Sequence, residues 1–309
     1  MRNPIKNALK SLIKNPKHII FAIYRRIPWI IQDDERYLKI YCRLSGFKNM
    51  DFDNPKTFNE KLQWLKLHNR CPEYIQMVDK VAVKDYVASI IGPEYIIPTL
   101  GVWDSPNDIE WEKLPNQFVL KTNHDGGCNG VVVCKDKATL NKRAALRELK
   151  HSFNRSSYLI GREWPYKMVK HKVFAEQYME DKQYGELRDY KFFCFDGEVK
   201  ALYVASERRI AKDGVKFDYF DADFNSLGIS QGHGHNGNIE KPQSFELMKQ
   251  LASKLSKGLP HVRVDFYEVD GHPYFGEFTF FHLGGTGSFK PAKWDRIFGD
   301  WITLPEPIS

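Results

Sequence analysis

The chain has 309 residues, 42% of them hydrophobic and 28% charged, and this composition excludes a wholly disordered protein. The length favours about two domains, with a core that needs no disulfide or metal. A formal net charge of +7 favours an anionic partner, whether nucleotide, acidic sugar, membrane surface or nucleic acid. The five cysteines include no CxxC pair, which indicates reduced thiols and a cytoplasmic protein.

Residues 1–32 contain seven lysines and arginines and no acidic residue. Their apolar run at 19–24 has six residues, whereas a bilayer span needs about 20. Arg25, Arg26 and Pro28 stand where a signal peptide would have its cleavage site. The segment is typical either of a basic amphipathic helix on an anionic inner membrane leaflet or of a helical extension packed on the protein's own body.

The sequence pattern before Gly92 predicts helices. Apolar and aromatic residues recur at helical spacing over 35–50. Thr57 and Glu60 have the spacing of a capping box, which predicts a helix from there to about Leu67. Another helix is predicted over 74–89, ending before the Gly-Pro pair that starts at Gly92.

After Gly92 the pattern changes to strands and hairpins. The predicted strands cover residues 118–121, 130–134, 173–178, 189–195, 199–205, 261–267 and 274–278. Asp-Gly turns at Asp196 and Asp270 close two of the hairpins, and a helix fits residues 244–257. Residues 208–242 are rich in Gly, Asp and His and predict a long irregular substrate loop.

A glycine-rich turn lies between the first two predicted hairpin strands. Lys121 ends the first strand, and Gly126, Gly127 and Gly130 follow. Glycines let successive backbone N–H groups face a phosphate, and the lysine adds a positive charge beside it. The same residues also suit an ordinary hairpin turn with an exposed lysine. No GxxxxGK[ST] motif occurs, so this is not a Walker A loop.

A literal GxGxxG occurs at residues 232–237, but neither a clear strand before it nor an apolar helix after it is present. The dinucleotide fingerprint needs both, so we reject it. His233 and His235 lie in this stretch without a third nearby metal ligand. The pattern favours a mobile loop over a metal site.

Two carboxylates, Asp265 and Glu277, are predicted to lie on facing strands of the last hairpin. Two acidic groups held close together are costly unless a cation lies between them. Ligands that are all oxygen favour Mg²⁺, usually shared with substrate phosphates. The alternatives are a surface strand pair or a salt bridge to Arg263.

The order of these motifs resembles the ATP-grasp fold, and most closely the TupA-like ATP-grasp family of polysaccharide biosynthesis. The closer match lies in residues 54–64, 189–192 and 276–280, and the resemblance covers roughly residues 50–305. It implies an α/β (α+β) protein in which two subdomains enclose ATP. The corresponding domains are a basic helical segment at 1–75, a small flap subdomain at 76–180 and a C-terminal subdomain with the metal site at 181–309.

The resemblance also implies roles for individual residues. Lys80, with Lys84 as its competitor, and Lys121 would contact the nucleotide, and the three glycines would cover its phosphates. Glu176, Gln177 and Tyr178 would form the adenine hinge, Asp189 would bind the ribose, and Lys191 would approach the phosphates. Arg263 would stabilise the transferring phosphoryl group, while Asp265 and Glu277 would hold Mg²⁺. Arg263, Lys121 and Lys191 are therefore the expected catalytic residues.

Two departures from the family pattern are visible. Many ATP-grasp enzymes have an asparagine metal ligand where this chain has Thr279, so the second Mg²⁺ would be held differently. Many also begin with a Rossmann-like domain, whereas a basic helical segment precedes the core here. The acceptor site would then be built from helices.

The implied activity is an ATP- and Mg²⁺-dependent carboxylate–amine ligase that works through an acyl phosphate. Its substrates would be a hexuronic acid or amino acid of a surface polysaccharide and an amine or amino acid. Arg208, Arg209 and Lys216 in the long loop suit an anionic sugar chain, although a solvated loop explains them equally well.

Other functional classes are less favoured. Asp221 and Asp223 resemble the metal–nucleotide-sugar motif of a glycosyltransferase, but the sequence shows no strand before them. A non-catalytic nucleotide-dependent module is disfavoured by the intact set of lysines, arginine and carboxylates. Nucleic-acid binding is disfavoured because the basic charge clusters at the N-terminus and no DNA- or RNA-binding motif is present.

Overall fold

A computed structural model describes residues 20–21, 24–126, 129–207 and 214–308. Of the residues singled out above, Gly127, Arg208 and Arg209 lie outside the described residues, as does most of the basic segment 1–32. The described chain mixes helices with two antiparallel sheets, which is an α+β arrangement.

The described chain before Gly92 contains helices, as predicted. Helix α1 spans Asp34–Leu44, and helix α2 spans Phe58–His68. The capping box of α2 is present: the Thr57 side chain accepts a hydrogen bond from the Glu60 backbone, and the Glu60 carboxylate accepts one from the Thr57 backbone. None of the described helices is long and apolar enough to cross a membrane.

The single helix predicted over 74–89 is wrong, because the chain forms two helices there. They are α3, Glu73–Val78, and α4, Val83–Ile91. Asp79 has extended backbone angles, and its carboxylate accepts a hydrogen bond from the backbone N–H of Val81 at 2.9 Å. An aspartate in this position ends one helix and starts the next, as an N-cap residue does.

The small sheet has four antiparallel strands in the order β1-β4-β2-β3. They are β1 (Thr99–Trp103), β2 (Phe118–Thr122), β3 (Val131–Cys134) and β4 (Val173–Gln177). One face packs into a core with Leu149 of helix α5 (Lys142–Phe153), which short helix α6 (Ser157–Gly161) follows. The predicted glycine-rich hairpin is thereby confirmed as β2–β3.

The large sheet has five antiparallel strands in the order β7-β6-β5-β8-β9. They are β5 (Asp189–Phe195), β6 (Glu198–Ser206), β7 (Lys216–Asp221), β8 (Val262–Val269) and β9 (His272–Thr279). Helix α7 (Phe245–Leu255) lies against β5, β6 and β8, and helix α8 (Lys293–Asp300) packs on α2. The two predicted hairpins and the helix over 244–257 are confirmed.

Strand β7 corrects the prediction that residues 208–242 are irregular throughout. Its residues pair with β6 and are mostly buried. Asp218 interrupts the apolar pattern, and for that reason the strand was not predicted from the sequence. Its carboxylate accepts hydrogen bonds from the backbone N–H groups of Asn236 and Gly237 at 3.0 and 3.1 Å.

The two sheets meet around the break between α3 and α4. The Lys80 backbone N–H donates to the carbonyl of Asn123, just after β2, at 3.0 Å. On the other side, Ile96 forms an isolated bridge with Phe275 of β9. These links connect the two sheets through the stretch from Lys80 to Ile96, and we call the region between the sheets the cleft.

Candidate active site

The register of the large sheet brings two of the predicted catalytic residues, Lys191 and Arg263, onto one face with the predicted metal ligands. Lys191 of β5 lies opposite Asp265 of β8, which lies opposite Glu277 of β9. Arg263 of β8 is likewise opposite Thr279. Directly opposed residues in antiparallel strands share a face of the sheet. We call this group, with Asp189 two residues before Lys191, the large-sheet cluster.

Asp265 is the centre of the large-sheet cluster. Its side chain is 1% exposed. The Arg263 guanidinium donates to it in a bidentate fashion, from Nε to Oδ1 at 2.7 Å and from Nη2 to Oδ2 at 2.8 Å. Lys191 forms a short ion pair with the same carboxylate and lies 3.4 Å from Asp189. The salt bridge to Arg263, which was the alternative to a metal site, is therefore present. Asp265 also lies opposite Glu277, as was predicted for the metal site.

Both cations of this cluster are held in the charged form. Burial alone would lower the pKa of Lys191, but the carboxylates of Asp189 and Asp265 outweigh it and raise that pKa. The pKa of Arg263 is likewise raised well above its usual value, because the pull of Asp265 exceeds the cost of burial. The site thus keeps two positive charges in a region that excludes water, where charges interact strongly.

A buried hydrogen-bond chain that the sequence did not reveal supports Arg263. Its Nη1 donates to Nδ1 of His282 at 2.9 Å. Since arginine has only donors, Nδ1 must be the acceptor and Nε2 must carry the proton. That Nε2 donates to Oε1 of Gln231 at 2.8 Å, and the Tyr219 hydroxyl donates to the same oxygen at 2.5 Å. Burial and the neighbouring Arg263 hold the pKa of His282 well below its usual value, so the ring is neutral.

The small sheet presents a second charged group, which we call the small-sheet cluster: Lys84, Lys121 and Glu176. Glu176 accepts from Lys121 at 2.5 Å and pairs with Lys84 at 2.7 Å. Although burial favours its neutral form, the two lysines hold the pKa of Glu176 below its usual range. Lys84 also donates to the carbonyl of Ile97 and to the hydroxyl of Thr99, at 2.9 and 2.8 Å.

Lys80 lies between the two clusters. Its ammonium donates to the carbonyl of Asp125 at 2.7 Å and lies 3.5 Å from Oε2 of Glu277. Lys80 therefore connects the loop after β2 with β9, the strand that carries Glu277. Lys84 was the alternative to Lys80 as the first nucleotide-binding lysine, and it belongs to the small-sheet cluster.

The glycine-rich loop is only partly described. Gly126 is exposed. Gly130 has φ +62°, and a Cβ there would lie 2.3 Å from the Ser152 hydroxyl, so the position requires glycine. Its N–H donates to the Glu148 carboxylate at 3.3 Å. The phosphate-binding role of this loop stays a prediction.

The hinge residues lie at the end of β4. Gln177 is exposed, and its backbone N–H donates to the carbonyl of Pro98 at 3.0 Å. Tyr178 follows, with the Lys135 ammonium 5.5 Å from the centre of its ring. The register places half-buried Val119 on the same sheet face as Glu176, which adds an apolar surface to the cleft. Recognition of adenine here stays a prediction, as does binding of ribose by Asp189.

The oxygen ligands of the large sheet fit a magnesium ion. Asp265 and Glu277 are opposite each other, and the rest of a six-oxygen shell would come from phosphates and water. Among the described residues no group of three His, Cys, Asp or Glu side chains is placed to hold a metal. The Thr279 hydroxyl accepts from Nη2 of Arg263 at 2.9 Å, so it already orients that arginine. Its role as a metal ligand stays a prediction.

Two motifs weighed in the sequence lie elsewhere. The GxGxxG stretch packs beside β7, where the His233 ring lies 4.0 Å from that of Phe217. Strand β7 does precede Asp221 and Asp223, contrary to the prediction that no strand stands there. The Asp221 carboxylate, however, accepts from the backbone N–H groups of Asp223 and Asn225 at 2.9 and 2.8 Å, so it serves to close the turn.

Solved structures with related folds share low sequence identity with this chain. A D-alanine–D-alanine ligase from Helicobacter pylori is 15% identical, with a TM-score of 0.44 over 80% of this chain and 69% of that one. The ATP-grasp ligase PsnB, solved with a precursor variant, Mg and ADP, is 11% identical, with a TM-score of 0.41 over 80% and 62%. The D-cycloserine synthetase DcsG is 16% identical, with a TM-score of 0.39 over 80% and 71%.

Among proteins with curated descriptions, none matches this sequence significantly. The family model described as TupA-like ATPgrasp matches residues 60–303, which is most of the chain. Both sheets and both charged clusters fall within that range. The chain therefore belongs to the TupA-like ATP-grasp family and has the ATP-grasp fold that its sequence predicted.

Proposed function

We propose that this protein is an ATP- and Mg²⁺-dependent carboxylate–amine ligase that works through an acyl phosphate. The observation that carries the proposal is the pairing of two clusters of opposite charge across one cleft. The small-sheet cluster has two lysines for one carboxylate. The large-sheet cluster has three carboxylates, Asp189, Asp265 and Glu277, for two cations, Lys191 and Arg263. A phosphate suits the first and a divalent cation suits the second.

Each residue would have a definite task in this reaction. Lys121 would contact the α- and β-phosphates, and Lys80 and Lys191 would approach the phosphates from the other side. Asp265 and Glu277 would hold Mg²⁺, which neutralises phosphate charge when bound. Arg263 would stabilise the phosphoryl group in transfer, and its bidentate contact with Asp265 already fixes its orientation.

The bonds that change can be stated in full. A carboxylate oxygen of the first substrate attacks the γ-phosphorus, and the bond from the γ-phosphorus to the bridging oxygen breaks, releasing ADP. The amine nitrogen of the second substrate then attacks the acyl carbon. The bond from that carbon to the phosphate oxygen breaks, phosphate leaves, and the nitrogen loses a proton to form the amide.

For the carboxylate we propose a hexuronic acid of a surface polysaccharide, and for the amine an amino acid. The support is the family membership and three basic residues of the stretch between β6 and β7. Arg208 and Arg209 follow β6, and Lys216 begins β7. These positive charges suit an anionic sugar chain. We further propose that the reaction takes place in the cytoplasm, at the inner face of a membrane.

The first test is calorimetric titration of MgATP into the purified chain and its Lys121→Met variant. We expect saturable binding that Lys121→Met weakens strongly and that the surface control Lys113→Met leaves unchanged. ADP release with mixtures of uronic acids and amino acids would then identify the substrates. Binding of a UDP-sugar without any binding of MgATP would contradict the ligase and favour a glycosyltransferase. No observation in the structure favours that second function, because Asp221 is engaged in its own turn.

A further inference from the structure

The segment before helix α1 packs one face against the body of the protein. The Tyr24 ring stacks on the Tyr37 ring with centroids 4.8 Å apart, and its hydroxyl donates to the carbonyl of Tyr37 at 3.0 Å. The ring of Phe21 lies 5.3 Å from that of Tyr41. The inward face of this segment is thus aromatic and fixed on α1.

A buried arginine fixes the turn that follows. Nη2 of Arg162 donates to the carbonyls of Pro28 and Ile31, both at 2.7 Å. Arg162 is 3% exposed, and its guanidinium lies 4.1 Å from the centre of the Tyr37 ring. Because both ends of the turn are bound to one immobile group, the residues between them are held in a defined position.

Those two residues are a tryptophan and an isoleucine that face solvent. Trp29 is 61% exposed and Ile30 is 65% exposed. Exposure of two large apolar side chains to water is unfavourable. Their transfer into an apolar phase lowers the free energy. Arg25 and Arg26 are exposed just before the turn.

The sequence that leads into this turn is positively charged. Residues 1–32 include seven basic residues and no acidic one. The acidic residues that come next are engaged locally: Asp33 caps α1, Asp34 pairs with Arg70, and Glu35 pairs with Lys39. Two exposed apolar side chains therefore follow two exposed arginines in the described part of this segment.

We propose that the turn at 28–31 docks on an anionic membrane surface. Trp29 and Ile30 enter the interface between headgroups and acyl chains, and Arg25 and Arg26 meet the headgroups. Tryptophan favours this boundary because it has a large apolar body and one polar N–H. Each lysine or arginine near an anionic leaflet adds to the attraction. Two exposed side chains are too few for a stable protein interface, which needs about 800 Å² on each partner.

This inference stands apart from the proposed reaction, and its test needs no nucleotide. The full chain is sedimented with vesicles of phosphatidylcholine alone and with vesicles that also contain phosphatidylglycerol. We expect binding to the anionic vesicles only, lost progressively as salt is raised. The Trp29→Ser/Ile30→Ser variant and the Arg25→Glu/Arg26→Glu variant should each bind at least about tenfold more weakly.

Matched control variants for vesicle binding change exposed residues on other surfaces of the protein. Ile90→Ser removes a partly exposed apolar residue of α4, and Lys254→Glu/Lys257→Glu reverses two exposed charges at the end of α7. Both should bind vesicles as the parent chain does. Equal binding by the parent and both turn variants would overturn the proposal. A lipid-free dimer that the Trp29→Ser/Ile30→Ser change dissociates, without vesicle binding by the parent, would also overturn it and identify the turn as a contact between copies.

Discussion

The two charged clusters are built in different ways. In the large-sheet cluster, the register of β5, β8 and β9 places carboxylates and cations opposite one another, and Asp265 is almost fully buried. In the small-sheet cluster, long side chains reach one glutamate from β2 and from α4, and the Lys121 side chain remains 21% exposed. One cluster is fixed by backbone geometry and the other by flexible side chains.

In the proposed reaction, this difference suits the large-sheet cluster to chemistry and the small-sheet cluster to binding. Groups that stabilise developing charge act best when they are already oriented and screened from water. Arg263 meets that condition, since Asp265, Thr279 and His282 all bind its guanidinium. Lys121 has one partner shared with Lys84, so a phosphate can draw it away at modest cost. We therefore expect substitutions in the large sheet to reduce catalysis most, and those in the small sheet to reduce nucleotide affinity.

The largest effect is expected for Asp265→Asn. The amide keeps the shape but loses the charge that pairs with Lys191 and Arg263 and that would hold Mg²⁺. Loss of the proposed metal ligand and of an oriented arginine should lower kcat by about a thousandfold or more, measured as ADP release. The two buried cations would also lose their shared counter-charge and keep only the more distant carboxylates of Asp189 and Glu277, which costs about 3 kcal/mol of unfolding free energy.

Circular dichroism and a urea titration would separate these two effects. Activity is measured only where the Asp265→Asn variant is folded. Asp223→Asn changes an exposed aspartate at the turn after β7 and should match the parent chain in both assays. A folded Asp265→Asn variant that kept more than a tenth of the activity would contradict the assignment of the large sheet to chemistry.

The next prediction compares Lys121 and Lys84, the two lysines that pair with Glu176. Lys121→Met should weaken MgATP binding about tenfold or more, because a charge-assisted contact with phosphate is lost. Lys84→Met should instead lower the unfolding free energy, since its ammonium holds the carbonyl of Ile97 and the hydroxyl of Thr99 as well as Glu176. Calorimetry and urea midpoints measure the two outcomes. Equal loss of ATP affinity in both variants would remove the distinction between them.

Much of the large sheet could be predicted from the sequence. Alternating apolar residues and Asp-Gly turns define the hairpins, and in a hairpin the turn fixes the register. That is why Asp265 and Glu277 were expected on facing strands, and they are directly opposite each other. Family resemblance added roles for individual residues to the elements that the residue pattern predicted.

The parts that could not be predicted depend on contacts between distant residues. The break between α3 and α4 rests on Asp79, and helical spacing alone gives no sign of it. His282 and Gln231 are 51 residues apart, and each looks like a loop residue in the sequence. Their hydrogen bond to each other appears only once β9 and the chain after β7 are folded together.

A smaller effect is expected at His282, which positions Arg263. His282→Phe should lower kcat about tenfold with little change in the KM for ATP, because Arg263 loses one acceptor but keeps Asp265. His282→Gln can again offer an oxygen to Arg263 and should restore most of the activity. Because the pKa of His282 is well below its usual value, its titration should not appear in the kcat profile of the parent at neutral pH. A rise in KM with unchanged kcat would show that His282 acts on substrate binding instead.

The last effect, on stability alone, tests whether the large-sheet side has a low dielectric. Burial lowers the pKa of His261 to about 3, and its Nδ1 donates to the carbonyl of Cys194. Below its unfolded pKa near 6.5 the unfolded chain binds a proton that the folded chain does not. The folded state therefore loses stability as pH falls, by about 2 kcal/mol at pH 5 from this residue.

The variant His261→Phe should remove that contribution. A phenyl ring suits the site, since the rings of Phe58 and Phe195 lie 5.0 and 4.8 Å from that of His261. Urea unfolding at pH 7.5 and pH 5 should show a gap between the two conditions that is about 2 kcal/mol smaller in this variant. His151→Gln, at an exposed histidine of α5, should leave the gap unchanged. An unchanged gap in His261→Phe would mean that His261 takes up its proton in the folded protein, and the low dielectric inferred for this side of the cleft would then be wrong.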